Sequence, residues 1–104
     1  MCVSILDGVL REVNDERNRQ DAKWGEQNHP NGTGHSNQKA QAEIARDRCD
    51  DYFSMGIGAW DLILLEEVWE ALAESDPEKL RTELVQVAAV AVAWIEAIDR
   101  KRGE

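Results

Sequence analysis

The sequence predicts an all-α fold, and three observations carry that expectation. Apolar residues recur three and four apart in several stretches, the spacing that lines one face of a helix. Helix-start signals stand at Ser4, with Asp7 three residues on, and at Asp76 followed by Pro77. No stretch alternates apolar and polar residues as a half-buried strand does, and no internal repeat is present. At 104 residues, 42% of them hydrophobic, the chain reads as one domain, residues 1–104. A single core is adequate at that size but not generous, and a second copy of the chain would help.

Ser4 caps the first helix, and Ile5, Leu6, Val9, Leu10 and Val13 follow at helical spacing, with the helix continuing to about Lys23. Beyond Val13 the helix is almost wholly polar but sets Arg17, Gln20 and Trp24 on nearly one face, with Lys23 beside them. That end is either a solvated helix terminus or a substrate-facing one, with a cationic pair for phosphates and an indole for a base. Gly25 to Asn37 is dense in Gly, Asn and Pro and reads as a loop, at most a mobile lid. Its two histidines, His29 and His35, read as solvated rather than metal-bound. A second helix runs from about Gln38 to Ser54, with Ala40, Ile44, Ala45, Cys49, Tyr52 and Phe53 as its apolar stripe. Gly56-Ile57-Gly58 breaks the chain, and a third helix runs from Trp60 or Asp61 to Glu74. After Ser75, Asp76 caps a fourth helix with Pro77 at its first position, extending to about Arg100.

Twelve basic against 21 acidic residues leave a net charge of −9. A phosphate backbone or an anionic membrane repels such a surface, so neither nucleic acid nor membrane is an expected partner. Two cysteines, Cys2 and Cys49, are too few for a disulfide framework and lack zinc-site spacing, so both read as reduced thiols. The opening MCVSILDGVL has no basic region and only a short apolar run, so no secretion signal is expected. The longest apolar run, Val87 to Ile95, falls far short of the roughly 20 residues that span a bilayer. These features together predict a soluble, cytoplasmic protein.

The acidic residues are the least ordinary feature. Glu66, Glu67, Glu70 and Glu74 fall on one side of helix three, opposite Leu65, Val68, Trp69 and Leu72. From Cys49 to Glu78 there are nine acids and no lysine or arginine. A solvated helix normally interleaves lysines, whereas Glu66 with Glu70 and Glu70 with Glu74 are like-charge pairs that each cost a few tenths of a kcal/mol. A bound cation would relieve that repulsion, and Mg2+ or Mn2+ takes oxygen ligands of this kind. On helix four every residue from Leu84 to Ile95 except Gln86 is apolar, so most of that stretch is expected to be buried, with Gln86 in or beside a core. Glu83 and Gln86 stand three apart on one face. A short connection returns them antiparallel to helix three, where Glu67 and Glu70 can meet them. The excess apolar surface points to a homodimer burying Val87, Ala88, Ala91, Val92 and Ile95.

At these residues the sequence resembles the MazG-like all-α nucleoside triphosphate pyrophosphohydrolases, whose signature is EExxE and, after a spacer, ExxD. Here the halves are EEVWE, Glu66 to Glu70, and ELVQ, Glu83 to Gln86, with twelve residues between them. Glutamine stands where that family has its final aspartate. The resemblance covers essentially the second half of the chain, and ERNRQDAKWGEQNHP is similar to the opening of some short phage and bacterial members. It implies a four-helix bundle completed by homo-oligomerisation, as a homodimer or a dimer of dimers. It implies metal ligation by Glu67, Glu70, Glu83 and Gln86, with Glu66 holding a second ion or orienting the attacking water. The implied reaction is Mg2+-dependent hydrolysis of a nucleoside or deoxynucleoside triphosphate to monophosphate and pyrophosphate, with Mn2+ as a substitute ion, in cleaning the nucleotide pool. Arg17 and Lys23 are then candidates for phosphate contact, and Trp24 for stacking on a base. Two other readings stay open: a nucleotide-binding module with little turnover, and a structural helical dimer whose acidic face only confers solubility.

Overall fold

Four helices account for most of the described chain: α1 (Ile5–Trp24), α2 (Ser36–Ser54), α3 (Trp60–Ala73) and α4 (Pro77–Arg102). The computed structural model describes residues 4–103, and among them there is no strand. Cys2, read above as a reduced thiol, lies outside the described residues. Among the described residues no helix is long and apolar enough to cross a membrane.

Each helix end has a local cause. Ser4 Oγ accepts the backbone N–H of Asp7 (3.1 Å), which satisfies one of the unpaired donors of the first turn of α1. Gly25, at φ +69°, closes α1 and donates its N–H to Asp21 O. α2 begins two residues before the expected Gln38. The Gln38 side chain accepts the His35 N–H (2.9 Å) and donates to Gly32 O (3.0 Å), which draws the last loop residues into the helix start. Asp76 Oδ2 accepts the Lys79 N–H (3.0 Å) at the head of α4. That helix runs two residues beyond the expected Arg100, and Arg100, Lys101 and Arg102 suit the negative end of its dipole.

The chain divides into two compact units. One comprises α1, the residues after it up to Pro30, and the chain from Val92 onward; the other is Asn31–Ala91. In the first, Val9 is almost fully buried, while Leu6, Leu10, Val13, Ile95 and Ile98 keep substantial exposure. Val9, Val13 and Ile95, together with Glu12 and Glu16, line an open concavity.

In the second unit α2 packs on α3. The buried residues are Ala42, Ala45 and Cys49 from α2, Leu62 and Ala71 from α3, and Leu80 from α4. The expected α2 stripe is therefore rotated: Ala45 and Cys49 are buried, but Ala40, Ile44, Tyr52 and Phe53 are exposed and Ala42 takes their place. Short side chains let two helix backbones approach closely, which a face of isoleucine and aromatic rings does not. The Phe53 ring instead folds back over Gly58, where a Cβ would collide with it. The burial expected for most of the stretch from Leu84 to Ile95 is also absent from the single chain. Leu84 and Val85 are exposed by about half, and Ala88, Ala89 and Ile95 are exposed as well.

The second half of the loop is anchored rather than lid-like. Thr33 Oγ1 donates to Glu74 O (2.6 Å), and the Gly34 N–H donates to Leu72 O (2.9 Å), so two carbonyls at the end of α3 are satisfied by loop donors. Gly34 has φ +86°, and a Cβ there would lie 2.6 Å from Ser75 Cβ. Only glycine meets both demands.

Candidate metal centre

α3 is organised around its acidic side. At about 100° per residue, Leu62 and Ala71 lie half a turn apart, and Glu66, Glu67, Glu70 and Glu74 fall in the arc between them. Both edges of that arc are buried, and all four glutamates are only partly exposed, whereas Leu65 behind them is exposed. On a solvated amphipathic helix the carboxylates would be outermost, whereas here they are partly buried, as Val68, Trp69 and Leu72 on the other side are. The Asp76–Pro77 restart then brings α4 back with Glu83, also partly buried, facing the arc.

One ligand oxygen from each of Glu67, Glu70 and Glu83 can be chosen so that all three lie within 4.8 Å of one another. Among the described residues they are the one group of three or more acidic, histidine or cysteine side chains so arranged. Glu67 Oε2 and Glu83 Oε2 are each buried and lack any hydrogen-bond partner. A buried carboxylate oxygen without a donor forfeits its hydration with no return, and two of them side by side also repel. Burial first, and then the charges of Glu83 and Glu66, push the Glu67 carboxyl above the ordinary range. Glu70 shifts the same way, through burial and then Glu67, Glu66 and Glu83, with Arg46 opposing.

These donors suit a hard divalent cation. Three anionic oxygens from two helices fit Mg2+ or Mn2+, and the remaining coordination positions are of the kind that water or a substrate oxygen fills. A cation would also supply the partner that Glu67 Oε2 and Glu83 Oε2 lack.

The other sequence-derived residues are placed as follows. Glu66 lies at the edge of the arc next to Leu62, with its carboxylate beside the Cys49 thiol. Burial and that contact push the Cys49 thiol up to about 11. Gln86 is exposed, three residues beyond Glu83, rather than in or beside a core. The helix face that carries it is left uncovered in the single chain. Arg17, Lys23 and Trp24 belong to the first unit and are exposed. Arg17 Nη1 donates to Gln20 Oε1 (3.0 Å), and Lys23 Nζ stands 4.9 Å from the centroid of the Trp24 ring. His29 and His35 are both exposed.

The structure adds a residue that the charge pattern hid. Arg46 of α2 brings its Nε to 4.0 Å from Glu70 Oε1. With Ala42, Glu70, Ala73, Glu74 and Glu83 it lines an open concavity of about 260 Å3. Arg46 lies four residues after Ala42 and three before Cys49, so the small-residue contact between α2 and α3 carries it to the edge of the carboxylates. Its position is legible in sequence only once Ala42, Ala45 and Cys49 are known to be the buried face.

Compared with protein families, curated proteins and solved structures, the chain matches none.

Proposed function

We propose that this chain is a metal-dependent nucleoside or deoxynucleoside triphosphate pyrophosphohydrolase of the MazG-like all-α type. The observation that carries this reading is the convergence of Glu67, Glu70 and Glu83 with two buried, partnerless oxygens, at positions spaced as EExxE and the leading glutamate of ExxD. Nothing in a helical scaffold requires three carboxylates to meet in this way, and their mutual repulsion opposes folding.

In this reading Glu67, Glu70 and Glu83 hold Mg2+ or Mn2+. The bound ion supplies charge neutralisation for triphosphate oxygens. Glu66 orients the attacking water and takes its proton as it adds to phosphorus. The α–β anhydride bond breaks, and the products are a monophosphate and pyrophosphate. Gln86, as a ligand implied by the resemblance, would offer a neutral amide oxygen in place of a carboxylate. Arg17 and Lys23 as phosphate contacts and Trp24 as a base-stacking residue rest on the resemblance alone, since these residues belong to the other unit. The exposed apolar residues of α1 and α4 support assembly as a homodimer or dimer of dimers.

Incubating the protein with each deoxynucleoside triphosphate and Mg2+ tests the proposal through pyrophosphate release. Turnover of at least one substrate, abolished by Glu67→Gln, is the expected result. Inactivity across the panel, with no stabilisation by metal, overturns it. A second reading, a nucleotide-binding module with little turnover, draws on Gln86 in the place of the family's aspartate. A large gain of activity in Gln86→Asp favours that reading, and a loss marks Gln86 as a specialised ligand.

A further inference from the structure

We infer that Arg46 is a phosphate-contacting residue of the carboxylate site, meeting the anionic group of a ligand bound there through a divalent ion. The inference rests on the metal-site reading and adds to it a residue on a third helix.

Charge and geometry carry the argument together. If Glu67, Glu70 and Glu83 hold a dication, the ligand set and ion still sum to one negative charge, which repels an approaching polyphosphate. One guanidinium restores neutrality, and Arg46 is the basic residue among those lining the concavity. Glu74, the other acid in that lining, is turned to its own helix end, where its Oε1 accepts the Asp76 N–H (3.1 Å).

Arg46 is not consumed by Glu70. The contact runs through Nε alone at 4.0 Å, and half of the Arg46 side chain is exposed (52%). Among the described residues no acceptor hydrogen-bonds its two terminal nitrogens, the pair whose planar fork matches two oxygens of a phosphate. A guanidinium built only to neutralise Glu70 would be expected to engage it in a closer, forked pair. The concavity beside it, about 260 Å3, has the volume of roughly eight or nine waters at about 30 Å3 each, enough for a hydrated ion and a phosphate group.

The test separates a ligand contact from a scaffold role, because the two predict opposite effects on metal binding. Calorimetry would measure Mn2+ alone, and then an α,β-imido deoxynucleoside triphosphate at saturating Mn2+, on wild type, Arg46→Gln and Arg46→Lys. Removing a cation beside the carboxylates should leave Mn2+ affinity unchanged or tighter. It should weaken the analogue by about tenfold or more, the scale of a lost charge-assisted pair, with Arg46→Lys intermediate because it keeps the charge and loses the fork. Analogue affinity within about twofold of wild type in Arg46→Gln overturns the inference. So does a parallel loss of Mn2+ and analogue, which would make Arg46 a support for the carboxylates. Arg46→Lys carries the comparison if Arg46→Gln does not fold. Failure of wild type to bind Mn2+ removes the metal-site reading as well, whereas an analogue that binds with Mn2+ regardless of Arg46 removes this inference alone.

Discussion

Glu67→Gln should stabilise the metal-free protein and abolish its stabilisation by metal. The substitution keeps the shape of the side chain and removes one of three charges whose ligand oxygens lie within 4.8 Å of one another. Two unit charges at that distance repel by about 3.5 kcal/mol at an effective dielectric of about 20, and by about 0.9 kcal/mol in bulk water. The carboxylates are partly exposed, so solvent screens part of that repulsion. The net gain on neutralising Glu67 is therefore about 1–2 kcal/mol. A new amide N–H beside Glu83 adds to that gain if it donates to the carboxylate. For a chain of this length, each kcal/mol corresponds to roughly 4 °C in Tm. Metal acts in the other direction. At about 100 times its Kd, a ligand adds about 2.7 kcal/mol to the protein that binds it, so Mn2+ should raise the wild type well above the variant. Thermal melts of both proteins in chelator and in Mn2+ should thus show their order invert. Indistinguishable melts of wild type and Glu67→Gln, both indifferent to Mn2+, would refute the reasoning and favour an acidic face that confers only solubility.

Three further outcomes follow from the same geometry. Because Glu67 and Glu70 are raised above 4.5, the native state holds protons that the unfolded chain releases, so their contribution to metal-free stability is full below pH 4.5 and is lost as pH rises through the raised values. Urea midpoints across that range should decline relative to the Glu67→Gln/Glu70→Gln double variant, and a flat difference would contradict the burial of the site. Gly34→Ala should cost roughly 1–3 kcal/mol in urea unfolding, since it combines a left-handed φ of +86° with a collision against Ser75; a cost within error of zero would mean the loop is not pinned to the end of α3. The Cys49 thiol, pushed from 9.0 up to about 11, should have about a hundredth of the ordinary thiolate at pH 8. Peptide mapping should show Cys49 alkylated far faster in urea than in the native protein, and equal rates would place it outside the α2–α3 contact.

Helix limits were largely legible because they depend on nearest neighbours. Ser4 with Asp7, and Asp76 with Pro77, act within three or four residues, and the structure places helix starts at both. The start of α2 was missed by two residues because its cap is a glutamine side chain reaching back to His35, a weaker signal than serine or aspartate. The anchoring of the loop was hidden for a different reason: Thr33 meets Glu74 across 41 residues of sequence.

Faces were harder to read than limits. Periodicity names the apolar residues of α2 but not which of them meets α3, and the close contact selects Ala42, Ala45 and Cys49 over larger neighbours. The acidic arc of α3 looked like an outer surface by pattern, and only its missing counter-charges argued otherwise. Its partial burial between Leu62 and Ala71 agrees with the charge argument. Gln86 went the other way. An apolar helix suggested that it was enclosed, yet the single chain leaves that face uncovered.

By itself, the sequence determined that the chain is helical, where each helix begins within a turn, and that Glu67, Glu70 and Glu83 are set at spacings a metal ion can use. These are properties of local propensity and of charge counted along the chain. Tertiary structure alone decided which oxygens lose their water without gaining a donor, and that Arg46, separated from Glu83 by more than thirty residues, stands at the same concavity. Desolvation and convergence depend on which helix faces meet, and no spacing within a single helix encodes that.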